Sequence, residues 1–147
     1  MSISTRPRVT PELLYSDVAA GVDFLTRAFG FKELDRFTAP DGRIVHTAMD
    51  IGGGAHVALG QPGPGYKNPK RLGQVTQSLY ILVDDVDALF VRAKAAGGTV
   101  VEEPKDQFYG DRRCGVVDPE GFHWYFAKPI REVAIASMHR EVAKGRD

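Results

Sequence analysis

The hydrophobic and polar positions along the first part of the chain predict a strand, a helix and a three-stranded segment. A short apolar stretch at residues 9–15 precedes Asp17, a typical N-cap residue, and apolar side chains then recur at helical spacing up to Gly30. A glycine at that position is a common end of a helix. Three stretches with strand character follow, separated by turn residues, at 31–37, 43–51 and 55–59.

The same pattern occurs a second time. The β-rich stretch 78–83 precedes Asp85, and a segment with helical spacing follows and ends at Gly97 and Gly98. Superposing Asp17 on Asp85 aligns the two helices with a constant offset over their whole length. Three further strand-like stretches complete the second copy, at 99–103, 112–117 and 122–127. The chain is therefore interpreted as one structural unit written twice.

Each copy has the order βαβββ, which predicts an α+β fold in a single domain spanning residues 1–147. The first module is expected at residues 8–60 and the second at 77–127, joined by a Gly- and Pro-rich linker at 61–76. An apolar stripe in the tail predicts a C-terminal helix at 129–144, packed on the domain or on a second subunit. A four-stranded half cannot bury both faces of its sheet alone. We therefore expect the two modules to form a curved mixed sheet around a central cavity.

Composition narrows the class of protein. The chain has 147 residues with 19 basic and 19 acidic side chains, so its formal net charge is zero, and it lacks the basic surface that nucleic acid binding requires. No apolar stretch is long enough to cross a bilayer, and the polar N-terminus lacks a secretory signal, so no membrane partner and a cytoplasmic location are expected. Cys114 is the single cysteine and excludes an internal disulfide.

Several short motifs carry a family resemblance that covers residues 9–127. They are the strand-to-helix entries at 15–18 and 83–86, the helix end at 27–31, the run Tyr109-Gly110-Asp111-Arg112 and the turn at 118–124. With these motifs the chain resembles the vicinal oxygen chelate superfamily. That superfamily includes glyoxalase I, extradiol dioxygenases, fosfomycin-resistance enzymes and bleomycin-resistance proteins. The run and the turn are similar to its glyoxalase-like, PhnB-like branch. The resemblance also implies a homodimer, because members often complete two cavities across their interface.

In the metal-dependent members of this superfamily, the first and last strands of each half supply four metal ligands. The positions that correspond here are Thr10, Ala58, Ser78 and Tyr125. None of these is a preferred ligand, because zinc, nickel, manganese and iron favour imidazole, carboxylate or thiolate groups. We therefore predict no metal and no other cofactor at this site.

A relocated metal is the alternative. If residues 52–54 close a hairpin, Asp50 and His56 face each other across two strands and can bind one metal ion. His46 lies on the same face, but four residues along a strand separate it from Asp50 by roughly 13 Å. The cluster is thus one ligand short of a site with two histidines and one carboxylate.

Strand alternation selects the side chains that face the cavity. His46 and Arg113 occupy equivalent places in the two copies. Arg113 can bind a carboxylate or phenolate, or it can pair with an acidic neighbour such as Asp111 or Glu102. The candidate ligand-binding residues are Thr10, His56, Ser78, Tyr80, Tyr109, Arg112, Arg113 and Tyr125.

Two functions are compatible with these residues. The first is metal-free binding of a small aromatic or amphipathic molecule, with possible sequestration of a drug or metabolite, as in the bleomycin-resistance proteins. The alternative is a lyase, isomerase or dioxygenase that uses the relocated metal or acid–base chemistry. The candidate catalytic residues for acid–base chemistry are His46, His123 and Glu12.

Overall fold

The computed structural model describes residues 6–145, so residues 1–5 and 146–147 of the predicted domain lie outside the described part. The first module forms a four-stranded sheet in the order β1-β4-β3-β2. Strands β1 and β4 are parallel, and the other pairs are antiparallel. Its elements are β1 (Glu12–Leu14), α1 (Val18–Phe29), β2 (Lys32–Thr38), β3 (Ile44–Gly52) and β4 (Ala55–Gly60).

The second module repeats this arrangement with the strand order β5-β8-β7-β6. Again the first and last strands are parallel neighbours and the other pairs are antiparallel. The prediction of an α+β fold with two βαβββ modules is thereby confirmed. The remaining elements are α2 (Pro69–Leu72), β5 (Leu79–Leu82), α3 (Val86–Ala95), β6 (Thr99–Asp106), β7 (Asp111–Val117), β8 (His123–Pro129) and α4 (Ile135–Ala143).

The two long helices begin where their capping residues predict. The Asp17 carboxylate accepts a hydrogen bond from the Ala20 amide at 3.0 Å, and the Asp85 carboxylate accepts one from the Ala88 amide at 3.0 Å. Helix α1 ends at Gly30, which adopts a left-handed φ of 74° that a residue with a Cβ atom rarely takes.

Helices α1 and α3 lie between the two sheets. Both helices pack on their own sheets and on each other, and this helix pair forms a large part of the contact between the two modules. The Phe29 ring on α1 also contacts Trp124 and Phe126 of the second sheet, at centroid distances of 5.4 and 4.7 Å. The guanidinium of Arg92 on α3 donates to the last carbonyl groups of α1. A single aromatic core therefore holds the modules together.

This packing differs from the expectation of a central cavity between the two modules of one chain. The large apolar side chains of both sheets point inward to the helices, so the opposite face of each sheet points away from the core. The two modules of one chain form two separate sheets rather than one sheet around a shared cavity. Each outer face, defined here as the sheet face turned away from α1 and α3, is exposed to solvent in the single chain.

The linker contains a short helix that the sequence did not indicate. Asn68 caps α2, Pro69 begins it, and Gly73 ends it with a left-handed φ of 73°. Asn68 is 1% exposed and its amide donates to the buried Glu120 carboxylate at 2.5 Å. Ser16 donates to the other oxygen of Glu120 at 2.6 Å. The linker is thus attached to both modules.

The C-terminal helix is shorter than the predicted 129–144, because β8 extends to Pro129 and α4 begins only at Ile135. None of its side chains is buried, and Ile135 is 69% exposed. The tail stripe is therefore amphipathic as predicted but does not pack into the core of its own chain, and packing on a second copy stays a prediction. Between residues 6 and 145, the chain forms no helix with the length and apolar character needed to span a membrane.

Candidate functional site

The outer face of the first sheet carries a cavity of about 400 Å³. Four predicted site residues meet there: Thr10 and Glu12 from the first strand region, His46 from β3 and His56 from β4. Ala48 and Ala58 lie between them and leave the centre of the face open. We call these six residues the first wall. All come from one module.

Glu12 and His46 form a carboxylate–imidazole pair in the first wall. The Nε2 atom of His46 lies 3.6 Å from a Glu12 carboxylate oxygen, and both side chains are open to solvent, at 39% and 72% exposure. The Phe37 ring lies 6.0 Å from the imidazole ring and was not identified from the sequence. Phe37 pairs with His46 across β2 and β3, and only this register places it at the site.

The outer face of the second sheet carries a different set of residues in equivalent places. Glu12 lies beside Ala58 in the first sheet, and Tyr80 lies beside Tyr125 in the second. Where the first face has carboxylate, imidazole and methyl groups, the second has phenol rings and a guanidinium. We call Tyr80, Tyr109, Arg113 and Tyr125 the second wall.

Tyr80 is held by its own neighbours in the second wall. Its hydroxyl donates to the Asp111 carboxylate at 2.6 Å and lies 3.4 Å from the Tyr109 hydroxyl. Burial and the hydrogen bond to Asp111 raise the pKa of Tyr80 well above its ordinary value, so the phenol stays protonated. Asp111 was one of the acidic neighbours considered for Arg113, but it binds Tyr80 instead.

Arg113 is also engaged within the second wall. Its guanidinium donates to both oxygens of Glu102, at 3.0 and 2.8 Å, and its central carbon lies 5.1 Å from the centroid of the Tyr125 ring. The hydrogen bonds to Glu102 raise the pKa of Arg113. Of the two roles considered for this residue, the structure shows the pairing with Glu102.

Three predicted site residues lie apart from these contacts. Arg112 points to the helix side of β7 and forms ion pairs with Asp87 and Asp106, both at 2.8 Å, because its parity along the strand is opposite to that of Arg113. This placement corrects the expectation that Arg112 faces the cavity. Ser78 is exposed just before β5, and His123 is half-buried at the beginning of β8.

The four positions that hold a metal in related enzymes do not fit one here. Thr10 and Ala58 lie in the first wall, and Tyr125 lies in the second, whereas Ser78 is at the strand end. Hydroxyl and methyl groups are poor ligands for the transition metals of this fold. These four side chains therefore do not fit a metal ion.

The relocated metal site also lacks ligands. Asp50 and His56 are direct partners across β3 and β4, as the hairpin predicted. The Asp50 carboxylate, however, accepts a hydrogen bond from the Gly52 amide at 2.8 Å and so stabilises the turn. In the part of the chain from residue 6 to residue 145, no three His, Cys, Asp or Glu side chains come together as a metal site.

A buried polar network around Asp118, between the two modules, was not predicted from the sequence. The Asp118 carboxylate accepts hydrogen bonds from the Tyr15 hydroxyl at 2.5 Å, from the Trp124 indole at 3.0 Å and from two backbone amides of its own turn. Burial raises the pKa of Asp118. The only signal in the sequence is an acidic turn, which is an ordinary surface feature and does not indicate burial.

Comparison with known proteins identifies the fold family. The family model described as the glyoxalase/bleomycin resistance protein/dioxygenase superfamily matches residues 8–126. The chain is 41% identical to the uncharacterized protein Mb0911c of Mycobacterium bovis, and the match covers all of this chain and 99% of that protein.

Two solved structures are similar in fold. TioX from Micromonospora sp. ML1 has 35% sequence identity and a TM-score of 0.70, over 84% of this chain and 99% of that one. TnmS3 from Streptomyces sp. CB03234, described as an antibiotic binding protein, has 24% identity and a TM-score of 0.66, over 88% and 98% of the two chains. The chain belongs to the glyoxalase/bleomycin resistance protein/dioxygenase superfamily.

Proposed function

We propose that this protein binds a small aromatic or amphipathic molecule without a bound metal, in a cavity that two copies of the chain complete. The observation that carries the proposal is the pair of unlike outer faces. One is an open cavity with carboxylate and imidazole groups, and the other is a surface of three tyrosines. Such a combination suits a flat molecule with a polar edge. Such binding would allow the protein to sequester a drug or metabolite. We also propose that the chain belongs to the PhnB-like branch of the superfamily.

The back-to-back packing of the modules supports the role of a second copy. The first and second walls of one chain lie on opposite sides of the helical core, so one ligand cannot touch both. Family resemblance implies a homodimer, and a two-fold arrangement would place the first wall of one copy against the second wall of the other. The antibiotic binding reported for TnmS3 is consistent with a ligand in such a cavity.

The first experiment measures binding of three planar fluorescent probes by anisotropy: cationic proflavine, anionic pyrenesulfonate and neutral methylumbelliferone. We expect at least one to bind with a dissociation constant well below millimolar. The variants His46→Ala in the first wall and Tyr125→Ala in the second wall are each expected to bind it about tenfold more weakly. If the wild-type protein binds none of the three probes, the proposal is wrong.

Mixing the two variants tests whether the cavity uses two chains. After unfolding and refolding together, half of the dimers contain one copy of each variant, and each such dimer has one fully native cavity. About one quarter of the wild-type sites should therefore recover full affinity. If both walls acted within one chain, every site would retain a mutation and no recovery would occur.

A second candidate function is metal-free acid–base catalysis, which the Glu12–His46 pair favours. A carboxylate beside an imidazole can orient the ring for proton transfer. His46→Ala would then abolish turnover of a bound substrate, whereas His56→Ala, a change elsewhere in the same cavity, would reduce it less. Equal turnover in wild type and His46→Ala would remove this candidate.

A further inference from the structure

We infer that Asp111, acting through the Tyr80 hydroxyl, is a positioning residue that keeps the Tyr109 oxygen free as a hydrogen-bond acceptor, so that the second wall selects ligands with a protonated amine. This inference rests on the proposed function and specifies the polar group of its ligand. It predicts discrimination between molecules that share the same aromatic ring and differ only in that group.

The first step of the argument concerns the direction of the hydrogen bonds in this wall. A phenol has one hydrogen to donate, and Tyr80 donates it to the Asp111 carboxylate at 2.6 Å. Burial and this bond raise the pKa of Tyr80, so the hydrogen stays on the phenol. The Tyr80 oxygen can therefore only accept, and Tyr109 is the donor of the longer bond of 3.4 Å between the two hydroxyls. Within residues 6–145, no group donates to the Tyr109 oxygen.

The second step concerns the charge at the base of this chain of hydrogen bonds. Among the side chains of residues 6–145, Asp111 forms no ion pair, and its carboxylate is bound by the Tyr80 hydroxyl. A carboxylate without a cationic partner orients nearby hydroxyl hydrogens towards itself and attracts positive charge. The free lone pairs of Tyr109 and the charge of Asp111 therefore favour the same kind of ligand group, a cationic hydrogen-bond donor.

The third step concerns the guanidinium of the second wall. Arg113 donates to both oxygens of Glu102, at 3.0 and 2.8 Å. Its central carbon also lies 5.1 Å from the centroid of the Tyr125 ring. The edge of that ring approaches Gly115, where a Cβ atom would lie 2.8 Å from Cε1. An anionic ligand group thus meets no unpaired cation in the second wall, and it is repelled by Asp111.

The fourth step concerns the cavity on the first sheet, which faces the second wall of the other copy in the proposed dimer. Its lining includes two carboxylates, those of Glu12 and Asp35, and one guanidinium, that of Arg6. The second wall and its direct contacts likewise contain two carboxylates and one guanidinium. Both halves of the proposed site therefore carry an excess of negative charge when their imidazole groups are neutral.

The test compares three pyrene probes of similar size by fluorescence anisotropy: cationic pyrenemethylammonium, neutral pyrenemethanol and anionic pyrenesulfonate. The titrations are made at about pH 8, where imidazole side chains are ordinarily neutral. We expect the ammonium probe to bind about tenfold more tightly than the sulfonate probe, with the alcohol between them. If the ammonium probe binds no more tightly than the sulfonate probe, or does not bind, the inference is wrong. The proposed function stands if any probe of the first experiment binds.

Variants then assign the preference to these residues. Asp111→Asn and Tyr109→Phe are each expected to lower the ratio of ammonium to sulfonate affinity about fivefold. A general loss of structure weakens both probes and leaves this ratio unchanged. The matched controls are Asp106→Asn, which removes a carboxylate paired with Arg112 from the same hairpin, and Tyr66→Phe in the linker. An unchanged ratio in Asp111→Asn or Tyr109→Phe, or an equal loss in Asp106→Asn, overturns the inference.

A double-mutant cycle separates positioning from independent effects of charge and hydroxyl. Because Asp111 acts through the hydroxyl chain that ends at Tyr109, the double variant should lose about as much of the ratio as either single variant. Urea unfolding of each variant establishes that the protein is folded at the assay concentration. A loss equal to the product of the two single losses would show that Asp111 does not position Tyr109, and it would leave the proposed function intact.

Discussion

At the scale of single residues, Asp118 connects sequence-distant parts of the fold. It is 3% exposed and accepts hydrogen bonds from Tyr15 in the first module and Trp124 in the second. Both donors are buried, at 1% and 0% exposure. A buried donor that loses its acceptor lowers the free energy of unfolding by more than the hydrogen bond itself contributes. We therefore expect Asp118 to contribute strongly to stability.

Replacing Asp118 with alanine is expected to lower the free energy of unfolding by about 3 kcal/mol, because several buried donors lose their acceptor together. Urea unfolding followed by circular dichroism measures this loss. The control is Asp23→Ala, which removes an exposed ion pair with Arg27 and should cost less than about 1 kcal/mol. Similar losses in the two variants would contradict the prediction.

The raised pKa of Asp118 also predicts a pH dependence. A carboxyl group whose pKa is higher in the folded than in the unfolded protein binds its proton more tightly when folded. Its contribution to stability is therefore complete below the ordinary value of 3.8 and is lost as pH rises through the folded pKa.

The measurement compares wild type with Asp118→Asn, which does not titrate at this position. The free energy of unfolding of wild type, relative to that of the variant, should fall as pH increases from about 4. Parallel pH profiles for the two proteins would show that Asp118 has no shifted pKa.

At the scale of elements, the linker is attached by a contact that its composition does not suggest. Asn68 caps the short helix α2 and donates to buried Glu120, whose other oxygen accepts from Ser16 and the Asp17 amide. One side chain thus joins the linker to the second-module turn and to the beginning of α1. Gly- and Pro-rich segments without such contacts are usually mobile.

Asn68→Ala is expected to lower the free energy of unfolding by about 2 kcal/mol, because a helix cap and a donor to a buried carboxylate are lost together. Limited proteolysis should cut the linker at 61–76 faster than in wild type. The control is Lys67→Ala, since Lys67 is exposed one residue earlier. Equal rates of cleavage in wild type and Asn68→Ala would argue against the attachment.

At the scale of the whole molecule, both candidate walls face away from the core. On the proposed function, each wall of the single chain is one half of a cavity that a second copy completes. We expect a dimer of about 32 kDa, twice the chain mass of 16.1 kDa, in sedimentation equilibrium. A mass of one chain at micromolar concentration would contradict this expectation, and it would leave each wall to bind alone.

The helices, the strands and the facing of their side chains could be predicted from the amino-acid sequence. The repeated pattern predicted both modules, and Asp17 and Asp85 marked the starts of the helices. Strand alternation selected Tyr125 and the equivalent pair His46 and Arg113 as side chains that face the cavity, and all three lie on outer faces. Such features depend on neighbouring residues and on the fixed periods of helix and strand, so they can be deduced locally. Family motifs also indicated the fold.

The relative orientation of the two modules and the pairing of their side chains became known only from the three-dimensional packing. Packing of Phe29 against Trp124 and Phe126 turned the sheets back to back and separated the two walls. The partners of Arg113 and Tyr80 could not be predicted, because several acidic residues lie near them in the sequence. Contacts between distant segments depend on register, on the absence of a side chain at Gly115 and on the burial of the core, which no local pattern contains.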